Sequence, residues 1–197
     1  MPIAATVGAG GDVELRNSAG DAIGDVVVFA NDRGRLQYEV RHQAGAAGAI
    51  DPAVSGREPT VELHAMLVGQ GLYADEATAM VNTWRDSWFE PGTRIFYVVP
   101  RRLVDSVLPL AIQPRPDDVA RVFVARTELV MPQALADVKR ALLTGDADAL
   151  DAYGRFLDPI ARRISATASP AERAAIESQL QRTYSASAAV VDRCIAS

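Results

Sequence analysis

The chain has 197 residues, 25 acidic against 20 basic side chains, a net charge of −5 and a pI near 5.1. That balance excludes a general nucleic-acid binder, which needs a basic face to displace counterions. A single cysteine, Cys194, excludes an intramolecular disulfide framework, and no run of the sequence nears the roughly 18 apolar residues of a membrane span.

Hydrophobic residues make up 49% of the chain, enough for a sizeable core. Lys139 is the only lysine among the 20 basic residues, and alanine is abundant, as GC-rich bacterial codons give. The opening MPIAATVGAGGDVEL lacks a charged segment followed by a long apolar one, so no secretory signal is visible. A cytoplasmic location is the default expectation, and an extracytoplasmic one follows if the start is truncated.

In chain order, residues 11 to 42 read as a small antiparallel meander. Val13 and Leu15 alternate with polar neighbours, Asn17 to Asp21 supplies a turn, and Ile23 to Ala30 is a second apolar run. Asn31 to Gly34 turns again before Leu36, Tyr38 and Val40. Residues 43 to 58, rich in Gly, Ala and Pro, read as a linker. Thr60 is placed as an N-cap, with Glu62 in the first turn and Gly71 closing the helix. Asp75 is expected to cap a second helix running to about Phe89, along which Met80, Trp84 and Trp88 form one heavy apolar stripe.

Pro91 and Gly92 force a turn, and the β-branched and aromatic run Arg94 to Val99 predicts a strand. A short helix over Leu103 to Leu108, an extended piece to Gln113, a turn over Pro114 to Asp118 and a long strand over Val119 to Val130 follow. From Pro132 the pattern is helical, with Leu135, Val138 and Leu142 on one face, Gly145 as a stop and Asp146 as the next cap. Leu150, Tyr153 and Leu157 face inward, and Asp158-Pro159 restarts the helix. Ser169, Pro170 and Glu172 predict a capping box for a last helix carrying Ile176, Leu180, Tyr184, Val191 and Ile195 on one side. Cys194 in that helix reads as a small buried hydrophobe.

The expected fold is therefore α+β. A small β-meander with its linker (1–57) precedes an α+β domain (58–197) with a mixed helix/strand core and a C-terminal helical bundle.

Little in the sequence marks chemistry. His42 and His64 stand apart from any cysteine or metal-ligand spacing, so neither a metal nor a cofactor is expected. No Gly-x-Ser-x-Gly elbow occurs. The glycine-rich Val7 to Asp12 resembles a dinucleotide loop only superficially, since the strand and helix that should flank it are not evident. What remains is charge set among apolar strand residues. Arg94 alternates with Phe96 and Val98, while Arg126 and Glu128 share a face with Val122, Val124 and Val130. Glu90 and Arg94 flank a tight turn. The first reading is a salt-bridge network that fixes strand register. The alternative is a cleft in which Arg94 or Arg126 grips an anion, with Glu90 or Glu128 as the acid/base candidate. Trp84 and Trp88 are likewise core anchors first and a ligand-stacking platform second.

The segment Gly71 to Arg101, with LPLAIQPRP (Leu108 to Pro116), RVFVARTEL (Arg121 to Leu129) and YGRFLDPIARR (Tyr153 to Arg163), resembles a family of uncharacterised proteins of soil bacteria with GC-rich genomes. The resemblance spans roughly residues 60 to 165 and implies no activity. Longer members are similar to exported proteins with further β-structure ahead of the segment matching Gly11 to His42. The expected function is a non-catalytic binding or interaction module that meets a protein partner or a second copy through the β-unit. The alternative is a hydrolase using Glu90 and Glu128 with an arginine anchor.

Overall fold

The structure, a computed structural model, describes residues 2–18, 20–42, 47–49 and 54–195. The fold is α+β and divides into two compact units, Met1–Leu129 and Val130–Ser197. The first unit holds strands β1 (Ile3–Val7), β2 (Asp12–Asn17), β3 (Val26–Asp32), β4 (Arg35–Arg41), β5 (Ala47–Ala49), β6 (Val54–Ser55), β7 (Gly92–Val98) and β8 (Val124–Leu129). Its helices are α1 (Thr60–Gly69), α2 (Ala74–Trp88) and α3 (Arg101–Val107).

The strands form two antiparallel sheets, one in the order β1-β2-β5 and one in the order β6-β4-β3-β7-β8. The glycine-rich stretch is the turn of the β1–β2 hairpin, closed by Gly8 N donating to the Asp12 carbonyl at 2.9 Å. A strand does precede it, but a second strand follows where a phosphate-binding loop would need a helix. The three strands expected to form one meander are thus shared between the sheets, because β2 pairs with β1 and β5 while β3 and β4 pair with each other.

The boundary expected after residue 57 is crossed by the larger sheet. β3 pairs with β7 along Val26↔Tyr97 to Asn31↔Gly92, and the chain divides instead after Leu129. Parts of the expected linker, residues 43–46 and 50–53, lie outside the described residues; its described pieces, β5 and β6, pair with β2 and β4.

β3 and β7 are central, and their continuous apolar runs reflect burial on both faces. Val27, Phe29 and Phe96 pack with Leu63 and Leu67 of α1 and with Ala77, Val81 and Trp88 of α2. Side chains of this kind contribute roughly 1.5–3 kcal/mol each when fully buried. On the opposite face, Val26, Val28, Ile95 and Tyr97 are buried, as are Ile3, Val13 and Leu15 of the smaller sheet. Arg41 of β4 bridges the sheets by donating to the Val13 carbonyl at 2.6 Å.

The long strand expected over Val119–Val130 is regular only over β8. Val99 N donates to the Phe123 carbonyl at 2.9 Å, but residues 119–122 leave the ladder, where Arg101 and Arg121 tie them to α3 and the following loop. Pro59, and not Thr60, occupies the N-cap of α1. Tyr73, and not Asp75, precedes α2, where the Glu76 carboxylate accepts from Tyr73 N at 2.9 Å.

The second unit is helical: α4 (Pro132–Thr144), α5 (Ala147–Asp151), a 3-10 turn over Gly154–Phe156, α6 (Leu157–Thr167) and α7 (Pro170–Ile195). Val138, Leu142, Leu150, Leu157, Ile160, Ile164 and Ile176 make its core. Gly145 ends α4 in the left-handed region at φ 72°, which glycine adopts without a Cβ clash. Asp146 caps α5 by accepting from Ala149 N at 3.1 Å. The capping box is present: Ser169 N donates to Glu172 Oε2 at 3.1 Å and Glu172 N to Ser169 Oγ at 3.4 Å. Tyr184 departs from its inward expectation. It is exposed, and its hydroxyl donates to Asp158 Oδ1 at 3.0 Å. The side chains of Val191, Cys194 and Ile195 lie outside the described residues.

Candidate functional site

Helix α2 ends at Trp88, and an α-helix leaves its last four carbonyls without partners inside the helix. Here the carbonyls that terminate α2 and form the turn into β7 are taken by side chains. Arg126 Nη1 donates to Ser87 O, and Asn31 Nδ2 to Phe89 O at 2.8 Å. Arg94 Nη1 serves both Trp88 O at 2.7 Å and Glu90 O at 2.6 Å, while Nη2 reaches Pro91 O at 2.8 Å. Two guanidinium groups therefore sit at the negative end of the helix dipole, where cations are favoured.

Carboxylates balance those charges. Arg94 Nε donates to Glu128 Oε2 at 3.1 Å, Arg126 Nε to Glu128 Oε1 at 2.5 Å, and Arg126 Nη2 to Glu90 Oε1 at 2.5 Å. The four charged candidates singled out in the sequence are thus one continuous network. Arg94 is completely buried, with its guanidinium carbon 5.9 Å from the centre of the Phe29 ring. Burial pushes its pKa below the ordinary arginine value, against the opposing pull of Glu128. Glu90, Glu128 and Arg126 are partly exposed, at 29%, 28% and 16%.

Trp88 is buried against Phe96, with ring centroids 5.8 Å apart. Trp84, one turn earlier, is half exposed, so the expected stripe is anchored by Ala77, Val81 and Trp88 with Met80 at its margin. Asn31 was not anticipated as a member of the network. The Asn-Asp-Arg-Gly turn signal accounted for it locally, and only the β3–β7 pairing brings it to Phe89.

Neither histidine gathers ligands. His42 Nδ1 lies 2.8 Å from Asp25 Oδ1 and His64 Nε2 lies 3.0 Å from Ala74 O. Among the described residues no group of histidine, cysteine and acidic side chains could hold a metal ion, and no helix is long and apolar enough to cross a membrane. Three tyrosines, Tyr38, Tyr97 and Tyr184, are raised first by desolvation. Tyr38 is pushed up to about 12, first by desolvation and then by donating to Glu62 Oε1 at 2.5 Å; Tyr97 is raised by desolvation.

A second feature lies between α3 and β8. Every residue from Asp105 to Asp118 is exposed, and this strap includes Val107, Leu108, Leu110 and Ile112. Its ends are pinned. Arg101 Nη1 donates to Val119 O at 2.7 Å, Arg121 Nη1 to Leu108 O at 2.5 Å, and Asp105 accepts from both arginines, at 3.3 Å and 2.9 Å. Arg101 is thereby part of α3 and of this anchor. The strap borders a hollow of about 490 Å³ lined by Arg101, Asp105, Leu110, Ile112, Arg115 and Arg121 among others. Of the exposed large hydrophobic residues among those described, none falls in the β-unit ahead of residue 43. Searches against protein-family models, curated proteins and solved structures find no match to this chain.

Proposed function

We propose that the chain is a non-catalytic binding module whose partner surface is the exposed strap from Val107 to Pro116, in place of the β-unit that the sequence alone favoured. The observation that carries this reading is the concentration of solvent-facing apolar side chains. Val107, Leu108, Leu110 and Ile112 are 76%, 50%, 56% and 43% exposed within a segment pinned at both ends, and Phe123, just ahead of β8, is 46% exposed. Exposed apolar side chains concentrated in one segment are a feature of interaction sites in soluble proteins. Holding it in one conformation lowers the ordering cost on binding.

The hydrolase alternative draws on the convergence of Glu90, Glu128, Arg94 and Arg126. Three considerations weigh against it: both carboxylates accept from guanidinium groups, Arg94 is inaccessible, and the donors serve helix carbonyls. The network's bonds account for its charges without a substrate.

The test compares wild type with Leu110→Asp and Ile112→Asp as immobilised baits, alongside chromogenic ester, phosphate and glycoside substrates. The expected result is a bound protein species, this chain included, that wild type retains and both variants lose, without turnover. Identical retention by all three proteins, or turnover abolished by Glu128→Gln, overturns the proposal.

A further inference from the structure

The hollow bordered by the strap measures about 490 Å³, within the roughly 300–1,000 Å³ of clefts that take small ligands. Its lining divides into three parts. Leu110, Ile112 and Val119 are apolar. Arg101, Asp105 and Arg121 are tied to one another and to the carbonyls of Val119 and Leu108, and Asp118 Oδ1 accepts from Val119 N at 2.7 Å. Arg115 and Asp117 are different. Both are exposed, and neither makes a hydrogen bond or ion pair with the described residues.

The charges of the lining cancel, with Arg101, Arg115 and Arg121 matched by Asp105, Asp117 and Asp118. One member of each sign is left uncommitted. A ligand that is only an anion would satisfy Arg115 and be repelled by Asp117, and a ligand that is only a cation would do the reverse. A ligand carrying both signs satisfies both. Asp117 follows Arg115 by two positions, and two residues of extended chain span at most about 7 Å, so the ligand's charges must lie close together. A carboxylate and an ammonium on one carbon meet that condition, whereas the separated ends of a longer peptide do not.

Beyond the protein-partner surface described above, we infer that the hollow binds a free apolar α-amino acid such as leucine or phenylalanine. Its carboxylate pairs with the Arg115 guanidinium, whose planar donors suit two oxygens at once. Its ammonium pairs with Asp117, and its side chain lies against Leu110 and Ile112. Arg101 and Arg121 pin the strap at both ends, so the hollow is formed before the ligand arrives and little is spent on ordering it. Exposed ion pairs contribute modestly, and the expected dissociation constant is about 0.1–1 mM.

The experiment is isothermal titration calorimetry on the full chain. The ligands are leucine, phenylalanine, serine, N-acetyl-leucine (carboxylate only) and leucinamide (ammonium only). Wild type is compared with Arg115→Gln and Asp117→Asn, and urea midpoints confirm that each variant folds, as substitutions at exposed positions should allow. Leucine and phenylalanine are expected to bind, and serine roughly tenfold more weakly for want of an apolar side chain. N-acetyl-leucine and leucinamide should each bind roughly fivefold more weakly than leucine. Arg115→Gln should weaken leucine and N-acetyl-leucine by a similar factor and leave leucinamide unchanged. Asp117→Asn should weaken leucine and leucinamide and leave N-acetyl-leucine unchanged.

Absence of leucine binding at about 10 mM overturns the inference. So does serine or either singly charged ligand binding as tightly as leucine, or leucine binding that is indifferent to both variants. If leucine fails to bind while the bait comparison still yields a strap-dependent protein, the amino-acid site falls and the partner surface stands. Leucine binding with the expected charge dependence, but with no such protein, supports the site and removes only the partner surface.

Discussion

Arg94 and Glu128 are direct cross-strand partners on β7 and β8, and the Nε–Oε2 distance between them is 3.1 Å. The pair sits on the helix-covered face of the sheet beside Phe29 and Phe96, one residue a fully buried cation and the other an anion with one edge in water. What makes the buried charge tolerable is the set of backbone carbonyls it serves. The carbonyls of Trp88, Glu90 and Pro91 all accept from the same guanidinium, so charge, strand register and helix termination are satisfied by one side chain.

Replacing Arg94 with Met should therefore destabilise the first unit by about 3–5 kcal/mol, because it orphans the carbonyls and leaves Glu128 without its buried partner. Arg94→Lys keeps the charge but not the planar set of donors, and should fall between wild type and Arg94→Met. Urea denaturation followed by tryptophan fluorescence reads both. A loss below about 1 kcal/mol for Arg94→Met, the level of an ordinary surface ion pair, would contradict the clamp.

Gly92→Ala should also destabilise, for two local reasons. Gly92 has φ 123°, where L residues are rarely found, and a Cβ there would stand 2.8 Å from Arg94 Nη2. The expected cost exceeds about 1 kcal/mol in the same denaturation assay.

The two tryptophans should report opposite environments. Trp88 is buried and Trp84 half exposed, so acrylamide should quench the Trp88→Phe protein, which retains Trp84, far more efficiently than the Trp84→Phe protein. Trp84→Phe should change stability by less than about 0.5 kcal/mol. Trp88→Ala should cost about 3–5 kcal/mol, as large-to-small changes in cores do.

In the second unit, acid sensitivity should centre on the start of α7. Lys139 Nζ lies 2.8 Å from Glu172 Oε1, and Ser169 completes the cap, so the Glu172 carboxyl is held down to about 2 against an ordinary 4.5. The unfolded chain then takes up this proton first as pH falls. The contribution is complete above about 4.5 and is lost progressively toward pH 2. Far-ultraviolet circular dichroism across that window should show a shallower acid loss for Glu172→Gln. Ser169→Ala should cost about 1 kcal/mol at neutral pH through the lost cap.

Where neighbours along the chain carry the physics, the sequence was sufficient. Asp146, Gly145 and the Ser169–Glu172 box act within one helical turn, and the helical core positions Val138, Leu142 and Leu150 follow from period alone. The continuous apolar runs that marked β3 and β7 as strands reflected burial, which hydrophobicity reports directly. The four charges at Glu90, Arg94, Arg126 and Glu128 could be named as candidates for the same reason, since ionic groups among apolar strand residues demand partners.

Tertiary structure decided which partners those were. β2 could pair with β3 or with β1 on pattern alone, because alternation specifies a face and not a neighbour. Trp84 and Trp88 share one helical stripe, yet only contact with Phe96 and Phe89 buries the second. The strap has the composition of an ordinary apolar segment, and its exposure follows from Arg101 and Arg121 pinning its ends to Val119 and Leu108, contacts 18 and 13 residues apart. Local pattern determines what a segment would bury. The long-range pairing of strands and charges determines what it is able to bury, and here that pairing leaves Leu110 and Ile112 in water.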